Sequence, residues 1–141
     1  MEAKLKLANQ LCFPVYTLAK EIINHYRPLL ENLDLTYPQY LVMLVLWEEQ
    51  EQTVNQLGEQ LKLDSGTLTP LLKRMEQKGL VARTRDTGDE RVVNITLTQE
   101  GKKLKAKALS VPSQLVASMK VSKNDLLVLK STIEKILKNY N

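Results

Sequence analysis

Apolar residues recur every three to four positions in the first third of the chain. From Val15 to Leu30 they fall on one face of an α-helix, so we expect a long N-terminal helix, over about residues 4–31, with one face buried. A second run, between Tyr40 and Trp47, contains almost no polar position and predicts a helix that lies in the core.

Two shorter helices are predicted in the middle of the chain. The first covers Val54 to Leu61, and the second runs from about Ser65 to Lys78. Gly79 suits the end of the second helix, because glycine readily adopts the left-handed conformation that often follows a helix. Four apolar residues with helical spacing mark the expected core face of this helix: Leu68, Leu71, Leu72 and Met75.

A β-hairpin is predicted directly after these helices. Apolar and polar residues alternate from Val93 to Leu97, as they do in a half-buried strand. The preceding segment from Leu80 to Arg85 is the expected partner strand, and the charged sequence DTGDER forms the turn between them. Two helices joined by a short turn and followed by a hairpin make a winged helix-turn-helix, over about residues 37–97.

The remaining segment predicts further helices with apolar stripes. Thr98 suits a helix start, Val111-Pro112 bends or interrupts that helix, and Ser122 begins a last one. We expect the terminal segments, about 4–31 and 98–141, to form a dimerisation region, since a two-fold pair buries such stripes. The expected fold is therefore one domain, residues 1–141, mainly α with a small β-hairpin wing.

Charge and composition narrow the function. The net charge is +4, yet residues 1–61 carry 4 basic against 8 acidic residues, whereas residues 98–141 carry 9 against 3. This asymmetry favours a polyanionic partner for the later part of the chain. No apolar run is long enough to span a membrane, and a single cysteine is typical of a reducing compartment, so we expect a cytoplasmic protein. One cysteine and one histidine cannot complete a metal site, and no cofactor is expected.

Several segments resemble the MarR family of bacterial regulators, and within it the one-cysteine repressors that sense organic hydroperoxides. These segments are LANQLCF, YRPLL, LTYPQYLVMLVLWE, LGEQLKLDSGTLTPLLKRMEQKGLV and DERVVNITLTQEG. The resemblance implies a homodimer in which terminal helices interdigitate and two winged lobes bind a palindromic operator in double-stranded DNA.

The resemblance also implies where DNA is bound. Near the start of a major-groove recognition helix, short polar side chains can reach base edges or phosphates: Ser65, Thr67 and Thr69. Lys73 and Arg74 lie further along the helix and can hold the DNA backbone. In the wing, Arg91 would enter the minor groove with Asp89 orienting it, and Arg85 would contact a phosphate. A solvated helix face and a plain charged turn are the alternatives.

Cys12 is the candidate sensor, although packing is a common role for a free cysteine. Tyr16 follows it by one helical turn, and Tyr26 and Tyr37 occupy the positions whose hydroxyls, in the resembling repressors, reach the thiol across the dimer interface. A phenol that donates a hydrogen bond to sulfur favours the thiolate, which attacks the hydroperoxide to give a sulfenic acid. The sequence holds no second cysteine, so the sulfenic acid would condense with a low-molecular-weight thiol to a mixed disulfide, close onto a backbone nitrogen as a sulfenamide, or over-oxidise irreversibly.

Two questions stay open at this level. Pro14 either marks the start of the main helix, with Cys12 at its N-terminal end, or kinks a longer helix that begins near Lys4. The function also has rivals that are not redox regulators. They are a MarR-type repressor with a non-covalent phenolic ligand held by Tyr16, Tyr26 and Trp47, a one-cysteine peroxidase, and an architectural protein. We expect a regulator and not an enzyme.

Overall fold

The computed structural model describes residues 2–140. Seven α-helices and three strands follow each other along the chain. They are α1 Cys12–Glu31, α2 Tyr37–Glu49, β1 Glu51–Thr53, α3 Val54–Leu61, α4 Ser65–Gln77, β2 Val81–Arg85, β3 Val93–Leu97, α5 Gln99–Ala108, α6 Val111–Met119 and α7 Lys123–Leu137. Short 3₁₀ turns cover Glu2–Leu5, Leu7–Asn9 and Lys138–Tyr140.

Elements α2 to β3 form a winged lobe around one core. Helices α2 and α3 begin at reciprocal caps, in which Thr36 pairs with Gln39 and Thr53 pairs with Gln56. The core side chains are fully excluded from solvent and come from α2, α3, α4 and β3: Met43, Leu46, Leu57, Leu68, Leu72, Met75 and Ile95. The predicted core face of α4 is confirmed.

The sheet is antiparallel with strand order β1-β3-β2. The predicted hairpin is confirmed, with Val81 opposite Leu97 and Arg85 opposite Val93. Strand β1 was not predicted, because its three residues show no alternation and its partner β3 lies some 40 positions later in the chain. It ties the start of α3 to the wing, which we define as β2, β3 and the turn between them.

The helix-turn-helix is held by close backbone approaches. A side chain at Gly58 would come within 2.8 Å of the carbonyl oxygen of Leu63, so glycine is needed where α3 turns into α4. At the other end of α4, Gly79 has a φ of 78° and its N–H donates to Glu76, while the N–H of Leu80 donates to Met75. This left-handed end directs the chain into β2.

The N-terminal helix begins at Cys12 and not near residue 4, which corrects the expected boundary. Residues 2–9 form two 3₁₀ turns instead. Pro14 is the third residue of α1 and therefore lies in the first turn, where its missing N–H breaks no helical hydrogen bond. The first of the two alternatives for Pro14 is thus the correct one.

The C-terminal segment contains three helices. Helix α5 packs on the winged lobe, where Trp47 Nε1 donates to the carbonyl of Gly101 at 2.9 Å. Val111-Pro112 begins a separate helix, α6, which packs against α1. Helix α7 starts at Ser122 as predicted, but has no buried residue within this chain. In the described part of the chain, no helix combines the length and apolarity needed to cross a membrane.

Candidate DNA interface and redox site

The exposed face of α4 carries the predicted major-groove residues. Ser65, Thr69 and Lys73 are four residues apart and form one row, while Arg74 lies on the adjacent row. Thr67 lies at the far edge of this face. All five are exposed or partly exposed, because the opposite face is buried in the lobe. Short polar groups near the helix start and cations further on suit a helix that enters a groove.

The wing holds a preorganised arginine. Arg91 donates from Nε to Oδ1 of Asp89 at 3.1 Å and from Nη2 to Oδ2 at 3.2 Å, so the two groups form a two-pronged pair. The arginine lowers the pKa of the Asp89 carboxyl, which therefore stays ionised at neutral pH. The Arg91 side chain is 90% exposed. Its guanidinium is thus oriented at the tip while it remains accessible.

The turn of the wing is held by Asp86, which was not among the predicted site residues, and by Arg85, which was. Asp86 Oδ2 accepts from the N–H of Gly88 at 3.0 Å and of Asp89 at 3.2 Å, which is an Asx turn. Arg85 donates to the carbonyl of Glu90 at 2.8 Å, so it braces the turn in addition to its predicted phosphate contact. The Asp-x-Gly pattern was the available signal for this turn.

Cys12 is exposed at the first residue of α1. Its neighbours Leu11 and Phe13 are exposed as well, which gives the thiol an apolar but open setting within one chain. Tyr16 lies one turn further along the helix, and Lys20 Nζ lies 4.2 Å from the centre of its ring. Packing in the core is therefore excluded as the role of Cys12 within one chain.

Three tyrosines meet where the second half of α1 packs on α2. We call Tyr26, Tyr37 and Tyr40 the tyrosine cluster. The ring centres of Tyr26 and Tyr37 are 4.6 Å apart, and those of Tyr26 and Tyr40 are 5.7 Å apart. Burial, with Coulombic effects of the other two phenols, raises the pKa of Tyr26 to about 12, and burial also raises the pKa of Tyr37. Both phenols therefore stay neutral near physiological pH and can donate a hydrogen bond.

One chain does not bring Cys12 and the tyrosine cluster together. Tyr26 is 14 positions after Cys12 on the same helix, which places the two about 21 Å apart along the axis. Tyr37 packs against Tyr26, with ring centres 4.6 Å apart, and so lies near the same end of α1. A contact between this thiol and these phenols therefore requires a second copy of the chain.

The end of α4 is tied to the start of α2. Lys78 Nζ donates to Oε1 of Gln39 at 3.1 Å and to the carbonyl of Asp34. Gln39 is only 3% exposed, and the same oxygen accepts from the N–H of Thr36 in the helix cap. Gln39 lies two residues from Tyr37 on α2, so this contact links the tyrosine cluster to α4. No local sequence pattern indicates this contact, because the two residues are 39 positions apart.

Comparisons with known proteins identify relatives over nearly the full length. A family model described as transcriptional regulator SarA/Rot matches residues 24–108. The organic hydroperoxide resistance transcriptional regulator of Bacillus subtilis (strain 168) is 52% identical over 133 residues, covering 94% of this chain and 90% of the relative. The regulator SarZ of Staphylococcus aureus (strain NCTC 8325 / PS 47) is 40% identical, covering 84% and 80%.

Solved structures of AbfR of Staphylococcus epidermidis have the same fold. Reduced AbfR bound to DNA is 38% identical with a TM-score of 0.79, covering 99% of this chain and 97% of that one. Disulfide-formed AbfR, also 38% identical with 96% of each chain covered, has a TM-score of 0.66, so this chain is closer to the DNA-bound form. The chain therefore belongs to the MarR/SarA-like transcriptional regulators, among the relatives of the organic hydroperoxide resistance regulators.

Proposed function

We propose that this protein is a homodimeric regulator that binds a palindromic operator when Cys12 is reduced and releases it when organic peroxide oxidises Cys12. The observation that carries the proposal is the exposed single thiol at the start of α1, on a helix whose other end holds neutral, half-buried phenols. Antiparallel pairing of two α1 helices across a dimer interface brings each thiol to the partner's tyrosine cluster. A reducing compartment such as the cytoplasm keeps the Cys12 thiol reduced, which is the state that reacts with peroxide.

The proposed chemistry needs no cofactor. The Cys12 thiolate attacks one oxygen of the hydroperoxide, the O–O bond breaks, and the alcohol leaves with a proton from solvent. Sulfur is oxidised to the sulfenic acid, and the peroxide is reduced. Since the sequence holds no second cysteine, a small thiol then displaces the hydroxyl as water and leaves a mixed disulfide.

The bulky adduct is the proposed releasing form. An over-oxidised form of the relative AbfR is described as bound to DNA, which favours the view that added oxygen atoms alone are tolerated. A mixed disulfide adds a whole molecule at a site that two chains share. It would displace the tyrosine cluster and with it the start of α2.

The contact of Lys78 with Gln39 and Asp34 provides a path for this displacement to reach DNA. A shift at Tyr37 moves Gln39 in the same helical turn, and Gln39 holds the end of α4 through Lys78. Two recognition helices must lie about 34–36 Å apart to occupy successive major grooves. A change of a few ångströms in that spacing therefore weakens operator binding.

The runner-up function is a repressor with a non-covalent ligand. A cleft of about 370 Å³ between α2 and α5 favours it, because the cleft is lined by apolar groups together with Trp47, Glu48 and Lys105. Tyr16 and Tyr26, the other expected pocket walls, do not line this cleft.

A peroxidase would consume many equivalents of peroxide when a reductant is supplied, whereas the proposed sensor reacts about once per chain.

The proposal is tested by titrating operator binding against Cys12 oxidation at fixed salt. We expect release to follow the fraction of mixed disulfide, identified by intact mass after cumene hydroperoxide with cysteine as the small thiol. Without the small thiol, we expect slower or weaker release. Release by a phenolic compound with Cys12 still reduced would instead identify the ligand-controlled repressor.

A further inference from the structure

Arg83 is the one residue in the described part of the chain with a buried side-chain nitrogen that lacks a hydrogen-bond partner. Its side chain is 23% exposed, and only Glu76 approaches it, with Nη1 to Oε1 at 3.9 Å. That distance is too long for a hydrogen bond. A buried nitrogen without a partner is costly. Because this Nε is closed off from solvent, a ligand can reach Arg83 only through the exposed part of its side chain.

Arg83 borders an open cleft between the wing and the helix-turn-helix. The cleft has a volume of about 290 Å³ and is also lined by Asn55, Thr69, Arg91 and Val93. Asn55 lies in the first turn of α3, where free backbone N–H groups carry partial positive charge. Because a water takes roughly 30 Å³, the cleft has room for a phosphate group with several waters.

We propose that this cleft binds one backbone phosphate of the operator, with Arg83 as its main cationic ligand. The inference rests on the proposed function. It adds a third DNA contact, located between the proposed contacts of α4 and the proposed contact of Arg91. Thr69 and Arg91, which line the cleft, lie on the recognition helix and the wing, so the cleft faces the strand between the major and minor grooves. A tetrahedral phosphate with several oxygens accepts from guanidinium, hydroxyl and amide donors together.

The two arginines of the cleft face two carboxylates, so the formal charges of these four groups cancel and the two pairs differ only in strength. Asp89 is fully engaged by Arg91 and neutralises one positive charge. Glu76 lies beside Arg83, yet their 3.9 Å separation is a weak, partly exposed ion pair. A phosphate that approaches Arg83 replaces this weak partner with direct hydrogen bonds. The guanidinium and the first turn of α3 thus both favour an anion.

The test measures how operator affinity depends on salt for reduced wild-type protein and for Arg83→Gln. Each phosphate contact contributes about 0.9 to the slope of log affinity against log salt concentration, and a dimer has two such clefts. We expect Arg83→Gln to reduce the slope by about 2 and the affinity by about tenfold or more at 150 mM salt. Lys103→Gln, which removes an exposed cation on α5, is the charge-matched control and should leave the slope unchanged.

A second arm identifies the ligand as a DNA phosphate. Operators with single neutral methylphosphonate linkages should weaken wild-type binding at one position per half-site, and Arg83→Gln should be insensitive there. A wild-type slope for Arg83→Gln would overturn the inference. A second combination of results would also overturn it: inorganic phosphate stabilises wild-type protein but not Arg83→Gln, and no methylphosphonate position weakens operator binding. The cleft would then bind free phosphate and not a DNA phosphate.

A conservative variant and a release measurement separate a folding defect from the loss of a phosphate contact. Arg83→Lys keeps the charge but loses the guanidinium fork, so we expect a wild-type slope with about threefold weaker binding. If Arg83→Gln does not fold, unchanged affinity of Arg83→Lys overturns the inference. Arg83→Gln should still release DNA on oxidation by the wild-type factor. Wild-type protein that binds no operator at all would overturn both the inference and the proposed function, whereas normal binding and release with an unchanged slope would overturn only the inference.

Discussion

Cys12→Ser is expected to bind the operator with wild-type affinity and to lose the response to cumene hydroperoxide completely. Cys12 is exposed, so its replacement by a residue of similar size removes no core packing. A hydroxyl at this position does not attack peroxide, and no other thiol is present in the sequence. Fluorescence anisotropy with a labelled operator, before and after one equivalent of peroxide with cysteine, measures the effect.

A thiol moved to another surface provides the matched control. In the Cys12→Ser background, Ser131→Cys places a thiol on α7, away from the tyrosine cluster. We expect this variant to keep its DNA when peroxide is added. Release of DNA by the Cys12→Ser protein under the same treatment would remove Cys12 from the mechanism and point to another oxidised group.

Ile133→Glu is expected to give a monomer whose operator affinity is about 10²- to 10⁴-fold lower. Ile133 is 41% exposed and lies with the exposed Leu129 and Ile136 on the apolar face of α7, a helix with no buried residue within one chain. A carboxylate buried without a partner in a dimer interface is strongly unfavourable. Loss of the linkage between two winged lobes removes the effective concentration that strengthens binding to two half-sites. Sedimentation velocity and operator titration measure both effects.

The opposite face of α7 again provides the control. Ser131→Glu adds the same charge about half a turn away, and we expect it to remain dimeric with wild-type affinity. An Ile133→Glu protein that stays dimeric and binds the operator normally would exclude this face from the interface. It would also remove the support for the proposed contact between Cys12 and the partner's tyrosine cluster, because that contact depends on this dimer.

The winged lobe was predictable from sequence because its signals are local. Leu68, Leu72 and Met75 mark a helical face, and the alternation through Ile95 marks a strand, so each element is specified within a few residues. Strand β1 lacks such a signal, since it forms only by pairing with β3. The start of α1 was ambiguous for a different reason: Pro14 is compatible with the first turn of one helix or with a kink in a longer one.

The site was predictable only in part. The pair of Asp89 with Arg91 is two residues apart and could be proposed from the resemblance. The contact of Lys78 with Gln39 and the exposed cleft at Arg83 join distant segments, which no local pattern encodes. The contact of Tyr26 with Tyr37 also depends on how α1 packs on α2, and no periodicity fixes which tyrosines meet.

The central claim is that the thiol of one chain is activated by the tyrosine cluster of its partner, and mixed dimers test it most directly. One mixed dimer pairs Cys12→Ser with a chain that carries Tyr26→Phe and Tyr37→Phe. The other pairs wild type with a chain that carries all three substitutions. Both retain one thiol, but only the first leaves that thiol opposite intact phenols of the partner.

The measurement is the rate of Cys12 oxidation by cumene hydroperoxide, followed by quenching and intact mass. We predict a wild-type rate per thiol in the first mixed dimer and a rate about 10- to 100-fold lower in the second, since the thiolate there loses its hydrogen bonds. The reverse order, with the first slow and the second fast, would mean that thiol and phenols act within one chain, which would contradict the account.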